Sequence, residues 1–243
     1  MKTTSDNFQK LAIVPARGGS KRIPNKNKKL FNGRPIIEWT LETLIESGLF
    51  ETVVVSTDDL EIAQISRDLG AEVPFIRPAN LADDYTSTAD VVIHALDNIP
   101  RYQNIEISSY LLSVVYPTGV FTAKADLIAA FELLVNSGVE HVFSAGRHAS
   151  PLERSWRVRD DGYAEMRHPK FNLTRTQDLE DSFFDAGQFY CSKVSAWVKL
   201  AGAVIPTTTL YELPKSRACD IDCESDWSFA EAMHLTHSIN MKR

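Results

Sequence analysis

The sequence predicts an α/β fold in which a mostly parallel sheet carries helices on both faces. Residues 11–145 support this, because short apolar, β-branched segments alternate with segments of helical periodicity. Glycines close several of the helical segments, as helix C-termini favour: Gly48, Gly70 and Gly138. Residues 146–186 break the alternation and are richer in arginine and aromatic residues, so they predict a small inserted lobe.

The first half of the chain gives five strands and four helices in alternating order. The predicted strands are residues 11–16, 52–56, 72–76, 109–115 and 141–145. The predicted helices are residues 35–47, 60–69, 89–98 and 124–137. Asp58 is expected to open the second helix, and Ser87 or Thr88 to cap the third, because short polar side chains accept hydrogen bonds from the first free backbone N–H groups.

The second half predicts a lobe and then a return to regular structure. Residues 156–158 and 164–166 are expected to pair as a hairpin around the turn Asp160-Asp161-Gly162. The lobe is expected to lie over the carboxyl edge of the sheet. A strand at 189–191, a short helix from Lys193, a strand at 208–213 and a helix at 224–237 follow. Neither a repeat nor a flexible linker is visible, so residues 1–243 are predicted to form one domain.

Composition limits the classes of partner. The chain has 243 residues, 44% of them hydrophobic and 24% charged, with a formal net charge of −6. A net negative charge argues against binding to nucleic acid or to a membrane surface. The polar amino terminus and the lack of a long apolar run favour a cytoplasmic protein without a membrane span. Its three cysteines are expected to be free thiols, since no His or Cys pair completes a zinc set.

A basic, glycine-containing segment follows the first predicted strand. The strand ends at Pro15, and the next residues include Gly18, Gly19, Ser20 and the cations Arg17, Lys21, Arg22 and Lys26. Glycine lets backbone N–H groups approach an anion closely, and ligands of open α/β sheets bind at strand carboxyl ends. The segment therefore predicts a polyphosphate site, with a solvated basic turn as the alternative. It matches neither the Walker A motif nor the dinucleotide fingerprint.

Two aspartates near the carboxyl end form a second candidate site. In Asp220-Ile221-Asp222, the alternation of an extended segment places both carboxylates on one face and Ile221 on the other. Such a pair suits a Mg²⁺ ion that also takes phosphate oxygens and waters. The alternative is that one of them caps the last helix, although Glu224 and Asp226 are better placed for that role.

These motifs carry a resemblance to a known family. The segment from Ile13 to Lys21, the block Pro24-Asn25-Lys26-Asn27, and the later blocks Ser56-Thr57-Asp58, Arg77-Pro78 and Asp220-Ile221-Asp222 occur in the order found in cytidylyltransferases that activate nonulosonic acids. The resemblance extends from Leu11 to about Glu231 and implies a Rossmann-like nucleotidyltransferase fold. Two further blocks, Lys21-Arg22-Ile23-Pro24 and the segment from Asp185 to Tyr190, resemble the branch that acts on pseudaminic acid.

The resemblance implies a Mg²⁺-dependent reaction in which CMP passes from CTP to the anomeric hydroxyl of pseudaminic acid and pyrophosphate leaves. N-acetylneuraminic (sialic) and legionaminic acids remain alternative substrates. A CTP-binding regulator without catalysis is a different class, but it would be expected to lose the paired aspartates, and both are present. A nicotinamide-dependent dehydrogenase would require a dinucleotide fingerprint that the chain lacks.

The resemblance also implies roles for individual residues. Arg17, Lys21 and Asp222 are expected to be catalytic, and Asp220 and Asp222 to hold Mg²⁺. The residues expected to bind the nucleotide are Ala16, Gly18, Gly19, Ser20, Lys26, Asn27, Arg77 and Ser87. Among these, Arg77 would recognise cytosine, or would instead pair with a carboxylate at a strand end. Ser87 is explained equally well as a helix cap.

The sugar acid is expected to contact Tyr116, Arg154, Arg175, Gln177 and Gln188. Arg175 matches best the family position that binds the sugar carboxylate, since a guanidinium pairs bidentately with a carboxylate. Tyr190 would line the same wall. The family further implies a homodimer in which each inserted lobe helps to close the neighbour's pocket.

Overall fold

A computed structural model of the protein describes residues 4–102, 110–200 and 207–241. The strands in these ranges are β1 (Lys10–Pro15), β2 (Leu30–Phe31), β3 (Arg34–Pro35), β4 (Thr52–Ser56), β5 (Leu111–Val115), β6 (His141–Arg147), β7 (Trp156–Val158), β8 (Ala164–Met166), β9 (Phe183–Lys193) and β10 (Thr208–Glu212). The α-helices are α1 (Ile36–Ser47), α2 (Leu60–Asp68), α3 (Thr88–Asn98), α4 (Lys124–Asn136), α5 (Val194–Leu200) and α6 (Glu224–Met241). None of the helices within these ranges has the length and apolarity to cross a bilayer.

A six-stranded sheet in the order β10-β6-β9-β5-β1-β4 forms the centre of the fold. Strand β1 runs parallel to both β4 and β5, and β10 runs parallel to β6. Strand β9 lies between β5 and β6 and is antiparallel to both. The structure thus confirms the predicted α/β class with a mostly parallel sheet.

Helices cover both faces because the central strands are apolar on both sides. Ala12 and Val14 of β1 face a cluster that includes Phe131 of α4. Leu11 and Ile13 of the same strand face a second cluster that includes residues of α3 and α5. All four of these β1 side chains are fully buried. A strand covered on both faces is expected to be continuously apolar, as β1 is.

Two predictions in the region after β4 are wrong. Residues 72–76 form no strand, and a single bridge joins Glu72 to Val54. Pro74 has no backbone N–H to donate, which interrupts a ladder. Helix α2 is capped by Asp59 rather than Asp58: an Asp59 carboxylate oxygen accepts hydrogen bonds from the N–H groups of Glu61 and Ile62. Asp58 instead contacts the basic loop, as described below.

Other predicted boundaries agree with the structure or shift slightly. Ser87 caps α3, which confirms one of the two predicted caps. The strand predicted over 109–115 begins at Leu111, and position 109 lies outside the described residues. The last helix extends to Met241, beyond the predicted end at 237.

The inserted lobe contains the predicted hairpin, formed by β7 and β8 in antiparallel register. The strand predicted at 189–191 is much longer, because β9 begins at Phe183 inside the range assigned to the lobe. Asp185 and Gly187 interrupt the apolar pattern there, and this concealed the first half of β9. The chain thus passes from the lobe directly into β9 of the central sheet.

Candidate active site

A cleft of about 660 Å³ opens at the carboxyl ends of β1 and β5. This volume is typical of sites that bind small molecules. It is lined by residues of five segments: the loop after β1, residues 77–91, residues 116–118, the facing side of β9, and the segment before α6. The predicted site residues among those lining it are Arg17, Ser20, Lys21, Lys26, Asn27, Arg77, Tyr116, Asp220 and Asp222.

The loop after β1 is shaped by backbone contacts. The N–H of Ala16 donates to the carbonyl of Ser56 at 2.9 Å, which extends the β1–β4 pairing by one residue. The N–H of Gly18 donates to Asp58 Oδ1 at 2.9 Å. Asn27 is nearly buried, and its Nδ2 donates to the carbonyl of Arg17 at 2.9 Å. Ala16, Gly18 and Gly19 therefore form the backbone of the loop, and their atoms do not line the cleft.

Two loop cations contact one carboxylate across the cleft. Arg17 Nη1 lies 2.8 Å and Lys21 Nζ 2.5 Å from the carboxylate of Asp84. Arg17 Nη1 also donates to the carbonyl of Asp83 at 2.6 Å. Hydrogen bonds from Lys21 and then Arg17 hold the pKa of Asp84 below its usual value. Asp84 is not among the residues predicted from sequence, because only the tertiary fold brings the segment before α3 opposite the basic loop.

The basic loop also meets the paired aspartates. Arg22 Nη1 lies 2.7 Å from Asp222 Oδ2. Lys26 Nζ donates to the carbonyl of Ile221 at 2.7 Å and lies 3.8 Å from Asp222 Oδ1. Burial lowers the pKa of Lys26, while Asp222 and Asp220 act in the opposite direction. Motifs about 200 residues apart in sequence thus form one site.

Asp220 and Asp222 have the arrangement that the sequence predicted. Ile221 between them is fully buried. The opening of α6 is served by Asp226, whose Oδ2 accepts from the N–H groups of Asp222 and Cys223 at 3.0 and 2.9 Å. This excludes the alternative in which one of the pair is the helix cap. Both aspartates line the cleft, where Asp222 contacts Arg22 and Lys26.

The surroundings of Asp220 fit a cation site. Loss of hydration, followed by the negative charge of Asp222, raises the pKa of Asp220. Its carboxylate has no hydrogen bond or ion pair to another described residue. Across residues 4–102, 110–200 and 207–241, no group of three His, Cys, Asp or Glu side chains forms a complete metal set. A divalent cation here would need the two aspartates together with oxygens from substrate and water.

Arg217 anchors the segment that leads to the aspartates. Its guanidinium contacts the Asp126 carboxylate through both terminal nitrogens, with Nη2 to Oδ1 at 2.9 Å. Nη1 also donates to the carbonyl of Phe121 at 3.0 Å, and Tyr211 donates to Asp126 Oδ1 at 3.0 Å. Asp126 is only 2% exposed, so this is a buried ion pair. The pair joins the first turn of α4 to the segment before Asp220.

Arg77 is buried at the base of the cleft, with 4% of its surface exposed. Its Nε and Nη2 have no hydrogen-bond partner among the residues that the structure describes, although Nη2 lies 3.7 Å from Asp58 Oδ1. Burial lowers the pKa of Arg77, and Asp58 partly offsets this. Buried donors without partners are costly, and Arg77 is one of the residues that line the cleft.

Two tyrosines form a wall at the other end of the cleft. The hydroxyl of Tyr116 lies 2.6 Å from Thr88 Oγ1, and its ring meets that of Tyr190 edge-on at 5.7 Å. Tyr190 donates to Asp185 Oδ2 at 2.5 Å. Burial raises the pKa values of both tyrosines, so their hydroxyls stay protonated at neutral pH. We refer to Thr88, Tyr116, Tyr190 and Asp185 as the tyrosine wall.

Gln188 and Ser87, which were predicted to contact the substrates, use their side chains to stabilise the fold. Gln188 is fully buried; its Nε2 donates to the carbonyl of Cys219 at 2.6 Å and its Oε1 accepts from the N–H of Phe121. The prediction that Gln188 contacts the sugar is therefore wrong, because its amide is used to join β9 to two loops. Ser87 lies outside the lining of the cleft, and its hydroxyl bonds Asp90 as the cap of α3.

The predicted sugar contacts of the inserted lobe do not reach the cleft of their own chain. Arg154 Nη1 donates to the carbonyl of Thr174 at 2.7 Å. Arg175 contacts Asp178 at 3.0 Å, and 72% of its side chain is exposed. Gln177 lies in the same short turn. None of the three lines the cleft. They could contact a sugar acid only in a cleft other than that of their own chain.

Comparisons with known proteins identify the family of the chain. The family model described as cytidylyltransferase matches residues 11–164. A pseudaminic acid cytidylyltransferase of Campylobacter jejuni is 35% identical over 93% of this chain and 97% of that protein. A CMP-N,N'-diacetyllegionaminic acid synthase of Legionella pneumophila is 30% identical over 92% of this chain and 95% of that protein.

A solved structure supports the fold. A CMP:2-keto-3-deoxy-manno-octonic acid synthetase complexed with CTP superposes with a TM-score of 0.66 at 14% identity, over 94% of this chain and 99% of that one. At this identity the likeness concerns the fold alone, and it agrees with a Rossmann-like nucleotidyltransferase. From the family match over more than half of its length and the two nearly full-length relatives, the chain belongs to the cytidylyltransferase family.

Proposed function

We propose that this protein transfers CMP from CTP to the anomeric hydroxyl of pseudaminic acid and releases pyrophosphate. The observation that carries the proposal is the meeting of the basic loop with Asp220 and Asp222 in one cleft. The relative at 35% identity, a pseudaminic acid cytidylyltransferase, supports this substrate over legionaminic acid, on which the relative at 30% identity acts by its name.

The triphosphate would bind to the basic loop. Arg17 and Lys21 both contact Asp84, so an entering triphosphate competes with Asp84 for two cations. As pyrophosphate leaves, negative charge builds on the oxygen that joined the α- and β-phosphates, and fixed cations stabilise that charge. Lys26 and Asn27 would bind the α-phosphate or the ribose. Lys26 is positioned by the carbonyl of Ile221, and Asn27 by the carbonyl of Arg17.

The cytosine ring would lie against Arg77. The ring carbonyl and the neighbouring ring nitrogen of cytosine are hydrogen-bond acceptors, and Arg77 presents two buried donors without partners. A ligand that satisfies buried donors gains the desolvation free energy otherwise lost, on the order of 1–3 kcal/mol for each group. The two Arg77 donors therefore favour a pyrimidine with acceptors at adjacent ring positions.

Asp220 and Asp222 would hold Mg²⁺. The surroundings of Asp220 support this, because burial and then the charge of Asp222 raise the pKa of that carboxyl, and a divalent cation would offset both effects. When bound, the metal would polarise the α-phosphoryl group and neutralise part of its charge. Arg22 and Lys26, which contact Asp222, are free to turn toward phosphate oxygens once that carboxylate has another partner.

The proposed reaction is tested by incubating the protein with CTP, Mg²⁺ and one of three sugar acids: pseudaminic, N-acetylneuraminic or N,N'-diacetyllegionaminic acid. Release of pyrophosphate and formation of the CMP-sugar are followed. We expect turnover with pseudaminic acid at the highest kcat/KM. A higher kcat/KM with another acid would replace the substrate. Binding of CTP without turnover on any acid would instead favour a non-catalytic regulator.

We also infer a homodimer whose inserted lobes complete each other's sites. A sugar acid carries a carboxylate, but the tyrosine wall offers Asp185 and hydroxyls in place of a cation. Arg175 is exposed on the lobe. Large apolar side chains of the lobe are also exposed, including Trp156, Val158, Tyr163 and Leu173, the last at 94%. Exposed apolar clusters of this kind mark interaction surfaces.

Arg175→Ala is expected to raise the KM for the sugar acid about 10- to 100-fold, because a charge-assisted hydrogen bond contributes about 1.5–3 kcal/mol. The KM for CTP should change less than about 2-fold on the same grounds, since CTP binding uses other cations. Steady-state kinetics with each substrate varied in turn measures both values. A change confined to the KM for CTP would contradict the assignment of Arg175.

Mixed dimers distinguish whether Arg175 acts in its own chain or in the neighbour's. Arg175→Ala and Asp222→Asn subunits are mixed, unfolded together and refolded. If Arg175 serves the neighbouring cleft, half of the dimers are mixed and each has one intact site, so about a quarter of the wild-type activity returns. If Arg175 acts within its own chain, no site is intact and activity stays at the level of the separate variants.

A further inference from the structure

Strand β9 contains a bulge beside the cleft. Tyr190 pairs with Phe143 of β6 and Asp185 pairs with Ala145, so four residues of β9 face a single residue of β6. That single residue is Ser144, whose hydroxyl accepts from the N–H groups of Gln188 and Phe189 at 3.2 and 3.0 Å. The bulge is therefore built into the sheet by specific hydrogen bonds.

The bulge brings together two side chains that a regular strand would separate. Residues five apart on a strand point to opposite faces and lie about 17 Å apart along it. Here the hydroxyl of Tyr190 lies 2.5 Å from Asp185 Oδ2. Gly187 makes this possible with a φ of 61°, and its N–H donates to Asp185 Oδ1 at 2.9 Å. Bulges next to active sites commonly redirect side chains in this way.

Gly187 also separates Asp185 from the paired aspartates. A Cβ at this position would lie 2.7 Å from Asp220 Oδ1, so the Asp220 carboxylate packs directly against the glycine backbone. The carboxylate of Asp185 is bound to the N–H of the same glycine. Asp185 is thus the member of the tyrosine wall that contacts the same glycine as Asp220, and it lines the cleft.

Tyr190 is held in place by rings on both sides. The Tyr116 ring meets it edge-on at 5.7 Å and an interplanar angle of 85°. The His141 ring is stacked on it at 6.0 Å and 23°. A fixed Tyr190 hydroxyl bonded to one oxygen of Asp185, with Gly187 N–H on the other, leaves the carboxylate in one orientation. Each carboxylate oxygen still has a lone pair for a further donor.

We propose that Asp185 accepts a hydrogen bond from the attacking hydroxyl of the sugar acid and takes its proton during transfer. This rests on the proposed function, in which the α-phosphate lies near Asp220 and Asp222. The sugar body then lies on the rings of Tyr116 and Tyr190, and the attacking oxygen lies between these rings and the α-phosphate, next to Asp185. The new O–P bond forms, the P–O bond to pyrophosphate breaks with its electron pair, and the hydroxyl proton passes to Asp185.

Tyr190 has a positioning role in this scheme, because it acts through Asp185. The sugar's own carboxylate is expected to point away from Asp185, since two negative charges at close range repel. This orientation agrees with the inferred contribution of Arg175 from the neighbouring lobe. Asp185 is therefore assigned to the neutral, hydroxyl-bearing side of the sugar.

The test compares Asp185→Asn, Tyr190→Phe and the surface control Asp68→Asn on α2. We expect Asp185→Asn to lower kcat at least about 100-fold, as for loss of a general base, with the affinity for CTP within about 2-fold of the wild type. Tyr190→Phe should lower kcat about 10-fold, since its effect is indirect. Asp68, whose carboxylate is exposed and bonds Gln64, should leave kcat unchanged.

Protein stability is measured in parallel by urea unfolding, so that a loss of kcat is compared among equally folded proteins. Wild-type turnover together with an Asp185→Asn variant of near wild-type kcat would overturn the role of Asp185 and leave the proposed function intact. Equal losses of kcat and CTP affinity in Asp185→Asn would also overturn it. A wild-type protein without turnover on any sugar acid would overturn the proposed function and, with it, this inference.

Discussion

Asp222→Asn is expected to lower kcat about 1000-fold, because the variant removes one of the two carboxylates that would hold the metal against the transferring phosphoryl group. Asparagine keeps the size of the side chain but not its charge. Arg22 and Lys26, which contact Asp222, would lose their nearest anion and remain to bind the triphosphate. CTP affinity should therefore fall less than about 10-fold.

Steady-state kinetics and calorimetric titration with CTP measure the two quantities. Glu224→Gln is a matched control, because this carboxylate lies two residues away and pairs with Lys29 at 2.5 Å outside the cleft lining. Its kcat should stay within about 2-fold of the wild type, as for an exposed ion pair. A kcat for Asp222→Asn within about 3-fold of the wild type would refute the proposed role.

Arg217→Met is expected to lower the free energy of unfolding by about 3–5 kcal/mol, because removing one partner of a buried ion pair leaves an uncompensated charge. Asp126 would keep its buried carboxylate with only the Tyr211 hydroxyl and the N–H of Ala123 as partners. The hydrogen bonds from Arg217 to Asp126 raise the pKa of Arg217, so this side chain stays charged in the native protein at every pH of interest. Urea unfolding monitored by circular dichroism measures the loss.

Two further variants separate charge from packing. Arg101→Met removes an arginine whose side chain is 45% exposed and pairs with Glu72 at 3.0 Å, so it should cost no more than about 1 kcal/mol. The double variant Asp126→Asn/Arg217→Met should recover much of the stability lost in Arg217→Met, since no buried charge then lacks a partner. Equal losses in Arg217→Met and Arg101→Met would contradict the buried-pair explanation.

The two motifs that we propose to bind phosphate and metal were predictable because their chemistry is local. Apolar β1 ends at a proline, and the glycines and cations that follow are contiguous in sequence. The alternation of Asp220, Ile221 and Asp222 likewise fixes which side chains are buried without reference to the rest of the fold. Both motifs line the cleft: the basic loop directly follows β1, and the aspartates directly precede α6.

The residues that the sequence did not reveal depend on tertiary geometry. Asp84 belongs to the site only because its segment folds opposite Arg17 and Lys21. Asp185 was concealed by its odd spacing from Tyr190, which a bulge overrides. Gln188 was misassigned for the same reason, since the bulge turns its amide into the interior. The strand predicted at 72–76 failed locally, because one proline outweighed its β-branched neighbours.

The ion pairs of Arg17 and Lys21 with Asp84, and of Arg22 with Asp222, affect how the protein discriminates among polyanions. A groove whose positive charges are already neutralised from within exerts little long-range pull on phosphate-rich polymers. Binding becomes an exchange of one set of partners for another. A ligand that also forms hydrogen bonds with the buried guanidinium of Arg77 gains binding free energy from that exchange. The choice among polyanions then depends on displacing these ion pairs and on fitting the cleft, and not on long-range electrostatic attraction.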